Sequence, residues 1–371
     1  MTIEFVNLIG TRTPGTSFDG PPLAAPIDIA WAQRYARTLD EVGFDYTLVP
    51  YMSAGYDPFV MSGAILAATT RLKTVVAVRP NISFPTVAAQ ALATLDQVSG
   101  GRTIVHVISG GNDAEQQRQG DYLTKEQRYR RTSEFIQVLR DVWTAEAPIS
   151  HHGEFFDFDD FGPGLRTSSG ASLPVSVGGS SGFAHDVGGA LGDIVAFYGE
   201  PLAQIAEQIA NVCDGARKAG RTDRIRFWAT FRPIVAETDE LARARARRLV
   251  EQSSEFYTSA RPQASTNVGS TRLRDIAELA ETHDGGALWT PRSIAGNGGA
   301  SSLIVGSPET IAEALVKYVE LGVDIFSLPT LGDLDDMIDA GRQIIPLVRQ
   351  KVAERGLDPE LTFARQAQPV G

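Results

Sequence analysis

The chain has 371 residues, of which 43% are hydrophobic, enough to bury a full core around one large domain. Its 34 Lys and Arg against 45 Asp and Glu leave a net charge of −11, which argues against nucleic acid or an anionic membrane as partner, because phosphate surfaces need a basic face. No apolar run approaches the ~20 residues that span a bilayer and the N-terminus lacks the pattern of a signal peptide, so a cytoplasmic location is expected; the single Cys213 cannot build a disulfide framework or a cysteine metal site.

In chain order, a strand over 3–9 is followed by an amphipathic helix over 27–42 that stops at Gly43, then a strand over 46–50. Asp57 and Pro58 read as the cap and first position of a helix over 57–70. The run Lys73-Thr74-Val75-Val76-Ala77-Val78 is apolar without period-2 alternation, as in a strand covered on both faces. A helix opens at Pro85, and the turn Ser99-Gly100-Gly101-Arg102 leads straight into a second such strand over 103–108. A helix over 132–143 follows. Strand and helix then alternate at 174–177 and 181–191, 194–197 and 201–219, 225–235 and 239–256, and 324–328 and 334–354. Eight alternations of this kind predict a (β/α)8 TIM barrel in a single domain over 1–354, with a polar tail over 355–371.

Three segments lie outside the repeat, at about 110–127, 150–172 and 260–302. The first two are expected beside the C-terminal ends of the strands, where a barrel carries its chemistry. The third, with Gly296-Asn297-Gly298-Gly299-Ala300-Ser301-Ser302, reads as a lid. Pro174-Val175-Ser176-Val177-Gly178-Gly179-Ser180-Ser181 runs a strand through Gly-Gly-Ser-Ser into a helix, so that glycines admit a ligand to the backbone and amides and hydroxyls at a helix start favour an anion such as phosphate. No Walker ending and no Gly-x-Gly-x-x-Gly after the first strand are present, and the five His have no metal-ligand spacing, so no metal is expected.

Taken together, 71–89 with 94–102, Arg128-Tyr129, 177–181, Gly199-Glu200-Pro201 and Leu303-Ile304-Val305-Gly306-Ser307-Pro308 resemble the bacterial luciferase-like flavin monooxygenases, and among them the two-component alkanesulfonate monooxygenases. The resemblance implies a barrel of the luciferase-like type that takes reduced FMN (FMNH2) from a separate NAD(P)H-dependent FMN reductase, forms a flavin hydroperoxide with O2 and oxygenates an organic substrate. It also implies a homodimer or homotetramer. Tyr129, Gly179, Ser180 and Ser181 match the residues that grip the flavin phosphate, with Arg128 adding charge, while Ala77 and Ser109-Gly110 match the strand ends beside the flavin ring.

On the substrate side the chain departs from the sulfonate enzymes. Thr230-Phe231-Arg232 stands where they carry Arg-x-His, and Asn297, Leu331, Gly55 and Tyr198 stand at their lid arginine, tyrosine, cysteine and tryptophan. Arg232 alone can replace the lost charge, so Arg232, Tyr198 and Asn297 are the catalytic candidates. Phe197, Phe231, Tyr51 and Tyr56 are expected to line an aromatic pocket, with Arg232 either facing the flavin or paired with Asp57 or Glu200. A small, less charged substrate is expected. The same barrel also admits deazaflavin (F420) hydride chemistry, or flavin binding without catalysis.

Overall fold

A computed structural model describes residues 3–9, 26–53, 55–260, 267–296, 302–330 and 334–360. Eight parallel strands close into a barrel: β1 (Glu4–Leu8), β2 (Tyr46–Val49), β3 (Lys73–Val78), β4 (Thr103–Val107), β5 (Val175–Gly178), β6 (Ile194–Tyr198), β7 (Arg226–Thr230) and β8 (Val323–Ser327). Each pairs with its sequence neighbours, and β8 returns to β1 through Glu4 opposite Ile325. This is the expected (β/α)8 TIM barrel.

Alternation along the strands decides what reaches the mouth. Val6, Tyr46, Val75, Ile104, Ile194, Trp228 and Ile325 pack against one another inside the barrel. Their outward neighbours, such as Val76, Val105, Val177 and Phe227, pack under the helices. Two residues further along, or four in the case of Tyr198 after Ile194, the same inward parity brings Ala77, His106, Tyr198 and Thr230 toward the open C-terminal end. The aromatic lining expected from Phe197 and Phe231 is overturned by this parity. Both face outward into the helix layer, Phe231 with its ring 4.7 Å from that of Tyr318.

The helix Pro58–Leu66 opens as its sequence predicts, Asp57 accepting from the Val60 amide at 2.9 Å. The helix Lys125–Thr144 starts well before 132, because Thr124 and Gln127 satisfy each other's amides in a reciprocal cap. The final helix is broken rather than continuous: Leu334–Asp339, a π-helical turn Ala340–Ile344, then Ile345–Glu354. Pro346, which has no amide hydrogen, sits where the regular bonding must lapse.

The described parts of the insertions hold more regular structure than their composition suggests. The segment 150–172 does not lie at the strand C-termini. It forms a hairpin, Ile149–His152 with Asp157–Phe161, on the outer helices, where the Glu134 carboxylate accepts from the amides of Phe155 at 3.0 Å and Phe156 at 2.8 Å. Its return passes below the barrel, where the Ser168 amide donates to Asp96 at the end of the helix Pro85–Ser99. The strand expected over 225–235 is two strands. β7 ends at Thr230, and Arg232–Val235 leaves the barrel to pair with Leu303–Gly306 in a side sheet completed by Leu288–Trp289 and Thr282–His283. Pro233 fits this edge position, because an edge strand has one side on which no donor is needed. The described part of 260–302 is therefore not a glycine-rich loop: it holds the helix Val268–Leu279 and this sheet edge.

Candidate active site

Four of the expected cofactor residues converge on one rim of the mouth, between β4 and β5. Ser181 ends the loop after β5 and caps the helix Gly182–Leu191 by accepting from the Ala184 amide at 3.3 Å. Its hydroxyl donates to the Tyr129 hydroxyl at 3.3 Å, so the Tyr129 proton stays available for another acceptor. Burial raises the Tyr129 pKa, against the effect of the Ser181 bond, and keeps it a neutral donor. Gly179, with φ of 145°, leaves the room this needs: a Cβ there would lie 2.8 Å from that of Ala184 and 3.0 Å from the Tyr129 oxygen. Ser180 is buried beside them.

Ser109 meets Thr132 at 2.8 Å, and Thr132 also reaches the Arg128 carbonyl. Either hydroxyl can be the donor in the Ser109–Thr132 pair, and Ser109 also hydrogen-bonds Tyr129. Arg128 is buried but committed, giving one Nη to Asp113 at 2.8 Å and the other to the Leu123 carbonyl at 2.7 Å. Its charge is balanced on the spot. Gly110 takes φ of 83° beneath the side chain of Gln116, and Ala77 is an apolar, buried wall.

On the opposite side, Tyr198 rises from β6 against Gly269, where a Cβ would come within 2.7 Å of the tyrosine ring. Burial raises the Tyr198 pKa, and the charge of Arg232 partly offsets it. Arg232 opens the side strand, its amide bonded to the Ser302 carbonyl at 3.0 Å. Neither expected carboxylate is its own partner in a described contact: Asp57 caps its helix, and Glu200 is claimed by Arg272. Asn297 and Leu331 lie outside the described residues.

Sequence reasoning names Glu200 as a partner for Arg232 and places His106 on a core strand, but does not find the partners in three clusters. Glu200, fully buried after β6, accepts from Arg272 at two points, 2.9 Å to each oxygen, and from Gln208 at 3.0 Å, which ties the helix Val268–Leu279 to the rim. His106 inside the barrel bonds Ser176 through Nδ1 at 2.9 Å, and burial lowers its pKa to about 4. Arg79, beyond β3, pairs with Glu115 at 2.9 Å and lies over the Tyr51 ring. Parity of the strands could have pointed to Arg79 and His106. Nothing in the sequence pairs Glu200 with Arg272. Among the described residues no group of side chains is arranged to hold a metal, and no helix is long and apolar enough to cross a membrane.

The residues present fit a flavin mononucleotide: a helix start, buried hydroxyls and a glycine that keeps the approach open suit its phosphate, and an apolar wall suits its ring. Comparison with solved structures agrees in fold. The riboflavin lyase RcaE, solved with modified FMN and riboflavin, is 20% identical over 97% of this chain and 93% of its own, with a TM-score of 0.74. EDTA monooxygenase EmoA from Chelativorans sp. BNC1 is 18% identical over 100% and 99%, also at 0.74. An F420-dependent secondary alcohol dehydrogenase in complex with an F420-acetone adduct is 18% identical over 94% and 100%, at 0.70. The sequence model of the luciferase-like monooxygenases matches residues 8–325. With that span and this barrel, the chain belongs to the luciferase-like monooxygenase family.

Proposed function

We propose that the protein is the oxygenating component of a two-component system, an FMNH2-dependent monooxygenase that uses O2 to oxygenate a small organic molecule, organosulfur or less charged. Its partners are a separate NAD(P)H-dependent FMN reductase and a second copy of itself. The observation that carries this reading is the rim where Ser181, Gly179 and Tyr129 leave a phenolic proton and a helix start facing the mouth. When bound, reduced FMN supplies the oxygen chemistry, one atom of O2 going to the substrate and the other to water.

The chain binds, orients and seals. Tyr129, Ser180 and Ser181 hold the phosphate, with Arg128 fixing the loop behind them through Asp113. Ala77 and Ser109-Gly110 back the ring. The helix Val268–Leu279, held to the rim by Glu200, brings Gly269 against Tyr198 and narrows the water path, and water exclusion is what a reactive oxygen donor requires. Arg232, Tyr198 and Asn297 are assigned to the substrate side, Arg232 polarising the group that accepts oxygen.

Anaerobic titration with reduced FMN is the test. Wild type is expected to bind it and Tyr129→Phe to bind roughly tenfold more weakly, the usual worth of one hydrogen bond to a charged group. Failure to take up reduced FMN overturns the reading. A second reading, F420-dependent hydride transfer, is favoured by the alcohol dehydrogenase neighbour. It predicts binding of F420 and turnover without oxygen consumption. Flavin uptake with no substrate-dependent oxygen use across a broad panel would leave a binding protein without catalysis.

A further inference from the structure

Beyond the C-terminal end of β3 lies a set of buried polar atoms with no hydrogen-bond partner among the described residues. Arg79 has the inward parity of Val75 and Ala77 and is 5% exposed. One of its nitrogens reaches Glu115, yet Nε and Nη1 are buried and unbonded. Two residues on, both atoms of the Asn81 carboxamide are buried and unbonded. From the loop after β4, Gln116 is fully buried with both carboxamide atoms in the same condition. Gly110 is the reason Gln116 fits, since a Cβ there would lie 2.1 Å from its Nε2.

Each such atom costs about 1–3 kcal/mol if nothing bonds it, and six of them belong to these three side chains, so a polar occupant here recovers part of that cost. Charge says what kind. Burial raises the Glu115 pKa, but the Ser53 amide and Arg79 outweigh it and hold the carboxyl below its ordinary value. The Arg79 charge is therefore already balanced, as those of Arg128 and Arg272 are. What remains unspent is several N–H donors and two carbonyl acceptors without net charge, which match a neutral group carrying both functions. A sulfonate or carboxylate would meet a cation whose charge is already spent and acceptors that repel it.

We propose that Arg79, Asn81 and Gln116 form the specificity subsite of the substrate pocket, and that the substrate offers it a neutral carboxamide, lactam or imide. The proposal rests on the monooxygenase reading for the word substrate, and its test separates the two. Full-length protein is examined by ligand-observed NMR with 2-pyrrolidinone and succinimide as neutral probes and methanesulfonate and propionate as anionic ones, with and without oxidised FMN. The neutral probes are expected to show saturation transfer and the anions none. Gln116→Leu and, independently, Asn81→Ala should reduce the neutral signal at least fivefold. The same Gln116→Leu should leave thermal unfolding unchanged or raise it, because it removes unbonded polar atoms. A structural role would lower it.

Binding of the anions in preference to the neutral probes overturns the proposal, as does an unchanged signal in both variants. A loss of FMN affinity with unchanged probe binding assigns the trio to the cofactor and likewise overturns it. Wild type that fails to bind FMN but holds the neutral probes keeps the subsite and refutes the monooxygenase reading instead.

Discussion

At the scale of single residues, proton inventories separate groups that look alike in sequence. Ser109, Ser180 and Ser181 are all buried hydroxyls at strand ends, yet Ser109 is paired with Thr132 while Ser181 donates to Tyr129 and leaves the phenolic proton free. Arg128 and Arg79 are both buried cations, but both of the Arg128 Nη groups are engaged and two nitrogens of Arg79 are unbonded. His106 makes a pH-dependent contribution to stability. Burial lowers its folded pKa to about 4, below the usual value near 6.5, so the folded state resists a proton that the unfolded chain accepts. That contribution is complete above about pH 6.5 and is lost as pH falls toward 4, amounting to about 3 kcal/mol. Urea unfolding of wild type and His106→Asn across that range should show a steeper loss for wild type. Parallel curves would mean that the histidine does not carry it.

At the scale of elements, buried ion pairs attach the insertions to the barrel. Glu200 is reached by Arg272 of the helix Val268–Leu279 and by Gln208 of the helix Leu202–Lys218, so one side chain joins three elements. Burial pushes its carboxyl pKa up and Arg272 pulls it back. Glu200→Gln leaves Arg272 with only the exposed Glu207 at 3.1 Å as its charge partner, and is expected to cost about 1–3 kcal/mol. The helix Val268–Leu279 should loosen before the barrel does, which hydrogen exchange along 268–279 would detect. Uniform protection loss across the barrel strands would contradict that order. The strands, caps and repeat were legible in the sequence, because each is a local pattern of period, cap and glycine. The side sheet, the hairpin on the outer helices and the break before Pro346 were not. Their causes are partners distant in sequence: Leu303–Gly306 for Arg232–Val235, Glu134 for Phe155 and Phe156, and, for the π-helical turn, close packing of Gly341 on Val42 beside the missing proline donor.

For the whole molecule, the outer surface carries a further consequence. Val60 is 73% exposed on the helix Pro58–Leu66 and Val87 is 54% exposed on the helix Pro85–Ser99, with Phe84 exposed at the start of the latter. Exposed apolar side chains on neighbouring helices support the proposed homodimer or homotetramer, because apolar surface left to water weakens the case for a monomer. Val60→Asp with Val87→Asp should convert the assembly to monomers in sedimentation at micromolar concentration. If the double variant keeps the wild-type mass, the contact lies elsewhere.

Periodicity and turn residues were enough to determine an α/β barrel, since these depend on spacings of a few residues, and the flavin-type rim was expected from the family resemblance carried by blocks such as Arg128-Tyr129 and 177–181. Three-dimensional packing alone decided which of the aromatic and charged side chains enter the mouth. Phe197 and Phe231 turn away from it, Glu200 goes to Arg272, and Arg79 arrives with its charge already answered by Glu115. Facing direction follows from where a strand enters the closed sheet, and charge balance follows from contacts between residues 36 to 72 positions apart. Local alternation gives the relative facing of neighbours on one strand, but the charge balance is not written in any local stretch of sequence.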